Sequence, residues 1–256
     1  MLAAGDRVVG TVRSGIPDIA APPDRFHAIQ CDLGDHAQVD AMVEQAFARF
    51  GTIDVIVNNA GFGIIGAVEQ TTDADLRQLF EVDVFAPIRI VRQALPKLQA
   101  NSGGHIVNIT SIAGRAPGPG ATLYAAAKYA MEGFSAALAQ DVAQHGIRVT
   151  AVAPGQFRTG FLDVAQKRQQ EPANVQGSSP VDMAVSRLRE LSGNQPGDPD
   201  KAAEAILEIV RSPAPPLHLL LGSDALERYA RTVDEVADEA SAWERLSRST
   251  DFDTDR

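Results

Sequence analysis

The sequence predicts a single α/β domain built on a doubly wound parallel sheet of the Rossmann type. Two patterns carry that expectation. Short apolar runs at 53–57, 105–110 and 147–153 alternate with longer stretches of helical period, which is the βαβ alternation of a parallel sheet. The runs also end in small or polar residues, Asn58-Asn59-Ala60-Gly61, Ser111 and Pro154-Gly155, and open α/β sheets bind ligands at the carboxyl ends of their strands.

With 256 residues the chain is long enough to bury a substantial core. Hydrophobic residues make up 45 % of it, yet no apolar run is long enough for a membrane span. A formal charge of −10 argues against a nucleic-acid partner, which would meet a basic face. The one cysteine, Cys31, cannot form an internal disulfide, and the start shows no signal-peptide pattern. A reducing, cytoplasmic setting is therefore expected. The sequence shows no internal repeat, metal-ligand cluster or separate second domain.

Taken in order, residues 1–5 read as the last turn of a helix stopped by Gly5. A strand over 8–12 follows, then a loop with Pro17, Pro22 and Pro23. Residues 26–31 form the next strand, with Cys31 as core filler. Asp32 or Asp35 caps a helix over 36–50, in which Val39, Met42, Val43, Ala46 and Phe47 recur at helical spacing. Gly51 and Thr52 stop it, and the strand 53–57 enters Asn58-Asn59-Ala60-Gly61. The run Gly61-Phe62-Gly63-Ile64-Ile65-Gly66 fits Gly-x-Gly-x-x-Gly, but that dinucleotide fingerprint has to open a helix at once. The next helix start is Thr72, with Asp75 completing a capping box, so the fingerprint is set aside.

Residues 73–98 trace one helical stripe, which Pro87 should kink or loosen. After a turn at 101–104 comes the strand 105–110, then an Ala-rich helix from Thr122 to His145, stopped by Gly146. The strand 147–153 ends in Pro154-Gly155. Residues 156–180 keep no period, as a substrate lid or binding loop would, and Phe157, Phe161 and Leu162 give it apolar surface. Helices are expected over 181–192 and over 199–211, the latter capped by Asp198. A last strand covers 217–221, in which His218 should pack or face the edge. Residues 224–248 form an amphipathic helix with an acidic outer face, and the polar tail to Arg256 is expected to be disordered.

The chemistry concentrates in Ser111 to Lys128. Gly118, Pro119 and Gly120 forbid a helix early in this stretch, and the alanines after Thr122 favour one. Tyr124 then sits in the first helical turn with Lys128 on the same face one turn later. A phenol has a pKa near 10, and a neighbouring ammonium and a helix N-terminus both favour its ionised form. Tyr124 is thus a candidate acid and base, with the Ser111 hydroxyl emerging at a strand end nearby. The plainer reading is an ordinary helix pair and a turn serine.

A strand-end Ser thirteen positions before Tyr-x-x-x-Lys resembles the short-chain dehydrogenase/reductase family, and the likeness runs from Met1 to about Gly222. The stretches at 61–66 and 154–159 are similar to retinol and 17β-hydroxysteroid dehydrogenase-like members. The resemblance implies an NADP(H)- or NAD(H)-dependent oxidoreductase that interconverts an alcohol and a ketone or aldehyde. Tyr124 would protonate the carbonyl oxygen, Ser111 would polarise it, and Lys128 would lower the Tyr pKa and hold the ribose hydroxyls. Asp83 stands where the family usually has an Asn that organises a proton path; as an anion near Lys128 it would stabilise the ammonium.

The cofactor would run along Asn59, Ala60 and Gly61, with Pro154, Gly155 and Thr159 at the nicotinamide, and with Asp32 and the Leu33 backbone at the adenine. Arg13, at a strand end with no acid at Thr11 or Val12, would pair with a 2′-phosphate and so favour NADP(H) over NAD(H); a solvated loop Arg is the alternative. The family's first strand and Gly-rich turn would lie upstream of Met1, leaving strand edges unpaired. Residues 1–222 are then the dinucleotide-binding and catalytic domain, with the substrate loop and helices at 156–212, and 223–256 a C-terminal helix and tail. The expected partners are a small hydrophobic alcohol or carbonyl substrate and further copies, as a homodimer or homotetramer. Two rivals are a non-catalytic cofactor-sensing or interaction protein, and an epimerase or dehydratase using the same Tyr and Lys.

Overall fold

The computed structural model of the chain describes residues 1–15, 19, 21–22, 24–101, 103–162 and 179–252. Pro17, Pro23, most of the 156–180 loop and the last four residues of the tail lie outside them. β1 (Val8–Val12) pairs in parallel with β2 (Phe26–Gln30), Val8 opposite Phe26 and Val12 opposite Gln30. A second parallel ladder runs in the order β3 (Val55–Asn58), β4 (Gly104–Ile109), β5 (Ile147–Pro154) and β6 (His218–Leu221). Among the described residues no strand pairs with β1 on the side away from β2, or with β3 on the side away from β4. The doubly wound sheet is thus present in two parts.

One core still joins the parts. Val9 and Ile29 from the first ladder, Ile56 and Ile106 from the second and Ile53 just before β3 pack with α1 (His36–Phe50) and α3 (Ala86–Ala100). The buried face of α1 is the predicted one, Val39, Met42, Val43, Ala46 and Phe47. Its cap is Asp35, whose carboxylate accepts from Ala37 N and Gln38 N, while Asp32 folds back on its own turn and accepts from Gly34 N at 2.9 Å. On the other face, Ile206, Ile209 and Val210 of α6 (Pro199–Arg211) cover Val107, Val152 and Leu219. No helix among the described residues is long and apolar enough to cross a membrane.

The stripe at 73–98 is not one helix. It divides into α2 (Asp73–Phe80), a π-helical turn over Glu81–Phe85, and α3, with the Thr72 and Asp75 capping box at its start. Pro87 explains the division: it has no N–H to donate and its ring crowds the carbonyl four residues back, so the chain widens by a residue before it. The widened turn aims Asp83 inward, where it is 2 % exposed. The Ala-rich helix is α4 (Thr122–Val142), continued by a 3₁₀ turn and stopped by Gly146 at φ 68°. The remaining helices are α5 (Pro180–Leu191), α7 (Ser223–Ala242) and α8 (Glu244–Arg248); the last two are separated at Trp243, where one helix was expected.

Candidate active site

Ser111 leaves the end of β4 in extended backbone, φ −167°, and its hydroxyl accepts from Ala113 N at 3.1 Å to open a 3₁₀ turn over Ile112–Gly114. That turn lies hard against α4: a Cβ at Gly114 would come within 2.8 Å of the Lys128 backbone, so only glycine permits the approach. Tyr124 is in the first turn of α4, and Lys128 follows one turn on. The Ser111 hydroxyl hydrogen-bonds the Tyr124 phenol, the Lys128 ammonium is 5.6 Å from the phenol ring centre, and Phe161 packs on that ring at 5.3 Å. Ser111, Tyr124 and Lys128 therefore meet at one place, the carboxyl end of β4.

Asp83 joins them. Its Oδ2 is 3.1 Å from Lys128 Nζ, and its Oδ1 accepts from Phe62 N at 3.0 Å. Gly61 leaves room for this carboxylate, since a Cβ there would be 2.8 Å from Oδ2. Lys128 also donates to Ile109 O at 3.3 Å. Burial alone would push the ammonium pKa down, but Tyr124 and Asp83 outweigh it and hold the pKa above its ordinary value. The lowered phenol pKa expected from the sequence is not found. Desolvation pushes Tyr124 up and Asp83 adds to this, while Lys128 and the Ser111 hydrogen bond pull it down without cancelling the rise. Burying a phenol disfavours phenolate more than one ammonium can offset when a carboxylate shares that ammonium.

The candidate cofactor residues line the carboxyl ends of the strands. Asn59, Ala60 and Gly61 are exposed after β3. The amide of Asn58 donates to Asn108 Oδ1 at 2.8 Å and ties β3 to β4. Gly155 continues β5 beside β6, donating to Leu221 O at 2.8 Å, and Thr159 is exposed beyond it. Arg13 and Asp32 are exposed at the ends of β1 and β2, and Leu33 packs into the main core. Small exposed residues at β3, hydroxyls at Ser111 and Thr159 and an exposed guanidinium at Arg13 suit the nicotinamide and adenosine ends of a dinucleotide. Among the described residues no Gly-x-Gly-x-x-Gly turn opens a helix for the pyrophosphate: after Gly66 the chain makes only a 3₁₀ turn before α2.

A model of the short chain dehydrogenase family matches residues 3–170. The chain belongs to the short-chain dehydrogenases. An oxidoreductase of Botryotinia fuckeliana is 33 % identical over 225 residues, covering 88 % of this chain and 81 % of that protein. The crystal structure of a short-chain dehydrogenase from Streptomyces avermitilis superimposes with a TM-score of 0.85 at 39 % identity, over 97 % of this chain and 92 % of that one. A 3-ketoacyl-(acyl-carrier-protein) reductase from Brucella melitensis, complexed with NADH, matches at 26 % identity and a TM-score of 0.63, over 77 % of each chain. The protein is accordingly a nicotinamide-dependent oxidoreductase.

In this short-chain dehydrogenase the sequence reading missed a buried network beside the site. Glu132, one turn past Lys128, pairs with Arg115 Nη2 at 2.8 Å and accepts from the Thr110 hydroxyl. Arg115 also donates to Ala151 O at 3.2 Å and to His218 Nδ1 at 3.1 Å, so His218 does face the edge but lies against the Arg115–Glu132 pair. Thr110 and Arg115 bracket Ser111 in sequence, so one carboxylate fastens both flanks of the serine to α4. The spacing of Glu132 from Lys128 was the available signal; its partner, distant in sequence, was not. Asp224 was missed too: its carboxylate accepts from Gln156 N at 2.9 Å and crowds Gly155, where a Cβ would be 2.3 Å away.

Proposed function

We propose that this dehydrogenase interconverts a hydrophobic alcohol and the matching ketone or aldehyde, with Tyr124 as acid and base. The observation that carries the reading is the convergence of Ser111, Tyr124, Lys128 and Asp83 at the end of β4. A bound nicotinamide supplies or accepts the hydride. In reduction the Tyr124 hydroxyl gives its proton to the carbonyl oxygen, and Ser111 hydrogen-bonds that oxygen and steadies the charge it gains. Lys128, kept cationic by Asp83, offsets the phenolate left behind and holds the ribose hydroxyls. The raised Tyr124 pKa suits a proton donor, because it keeps the phenol protonated at neutral pH.

Asn59, Ala60, Gly61, Pro154, Gly155 and Thr159 would hold the cofactor, with Asp32 and Leu33 at its adenine. The exposed Arg13 supports NADP(H), with NAD(H) the alternative. Phe161 against Tyr124, and the apolar cluster of Ile65, Leu162 and Val185 beside it, support a hydrophobic substrate. By the family resemblance, α3 and α4 form the face of a homodimer or half of a homotetramer, in a cytoplasmic setting; the exposed Phe85 and Tyr129 beside and on those helices support this. The test is fluorescence titration with NADPH and NADH, followed by a ketone panel read by NADPH consumption. Binding with turnover is expected, with NADPH preferred. Binding of neither cofactor would favour the non-catalytic reading.

A further inference from the structure

Past its first turns α7 leaves the body of the protein. Ala225 is buried, packed on Ile112 and Ala116, but every residue from 233 to 252 is exposed. A helix with no tertiary packing is marginal in water, since most helical stability in proteins comes from burying an apolar face. This one has such a face. Leu226, Tyr229, Val233, Val236 and Trp243 are all large and exposed, and Ala240 completes steps of three, four, three, four and three residues. That is the 3.5-residue period of a coiled-coil seam, narrower than the stripe of a helix lying on a sheet.

We propose that this seam pairs antiparallel with the same seam on a second copy of the chain, as an interface separate from α3 and α4. The spacing asks for another helix, and the residues select this one. A two-fold axis between Val233 and Val236 sets each of these valines against the other in the second copy. It also sets Tyr229 opposite Ala240 and Leu226 opposite Trp243, so the bulky tyrosine meets the smallest side chain of the seam. Ala230, Thr232 and Ala237 flank the seam and are small enough for close approach.

Charge fixes the direction. In a parallel pair Glu239 would face Glu244 of the other copy, a like-charge contact; reversed, Glu239 lies beside Thr232 and Glu244 beside Ser223. The outer face carries Glu227, Asp234, Glu235 and Asp238, the wrong sign for an anionic lipid surface. The contact is isologous, so it closes as a pair. Each arm's tip then reaches the root of the other copy's α7, which packs behind the Ser111 turn.

The test is sedimentation velocity of the full chain and of a Val233→Glu/Val236→Glu double variant. Both sites are exposed, so the thermal transition of the body should be unchanged. The variant is expected to sediment at half the mass of the wild type; equal masses overturn the proposal. Under oxidation a mixture of Leu226→Cys and Trp243→Cys chains should cross-link while Leu226→Cys alone does not, Cys31 being buried. Cross-linking of the single variant alone overturns antiparallel pairing. Binding of the wild type to phosphatidylserine vesicles, lost in the double variant, would assign the seam to a membrane instead.

Discussion

At the scale of single residues, Asp83 departs furthest from the family pattern and has the sharpest consequence. Its carboxylate raises the pKa of both Lys128 and Tyr124. Asp83→Asn removes that anion, so both pKa values fall. In alcohol oxidation, which needs the phenolate, the acidic limb of the pH–rate profile should move to lower pH by about one unit, the scale of a close charge. A limb that stays or moves up would contradict the assignment. The sequence made Asp83 legible because it stands in the helical stripe where the resembled family usually has an Asn. It did not reveal the raised Tyr124 pKa, because the phenol is covered by Phe161, which arrives from a loop without periodicity.

At the scale of elements, the strands and α1 were legible because apolar period and caps agree there, and the split between α2 and α3 was not. A π-helical turn keeps nearly the same apolar stripe as an α-helix, so only Pro87 hinted at it. The clamp on the Ser111 turn was equally hidden, since it joins residues far apart in the chain. Glu132 and Arg115 are about nine-tenths buried. Removing one partner strands the other charge, which costs about 3–5 kcal/mol in such settings. Arg115→Ala should therefore lower stability by about 3 kcal/mol in urea unfolding. A loss near zero would show that Glu132 is satisfied without it.

For the whole molecule, the two-part sheet rests on a core shared through α1 and α3, and His105 is buried on the opposite face of β4 from Ile106, which belongs to that core. Burial lowers the His105 pKa to about 4, helped by the Arg148 charge, and its Nε2 meets the Thr150 hydroxyl at 2.9 Å. The folded state therefore binds this proton less readily than the unfolded chain, whose histidine titrates near 6.5. Stability from this group is complete above about pH 6.5 and falls as the pH drops toward 4, by up to about 3 kcal/mol. His105→Gln should flatten that part of the stability–pH curve; an equally steep loss in the variant would place the acid sensitivity elsewhere. The proposed reaction depends on Tyr124 delivering the proton beside a bound nicotinamide. The direct measurement is ketone reduction by wild type and Tyr124→Phe at saturating NADPH, with cofactor affinity measured in parallel. The prediction is a fall in kcat of about 10²- to 10⁴-fold with NADPH affinity nearly unchanged. Full reductase activity in Tyr124→Phe would contradict it.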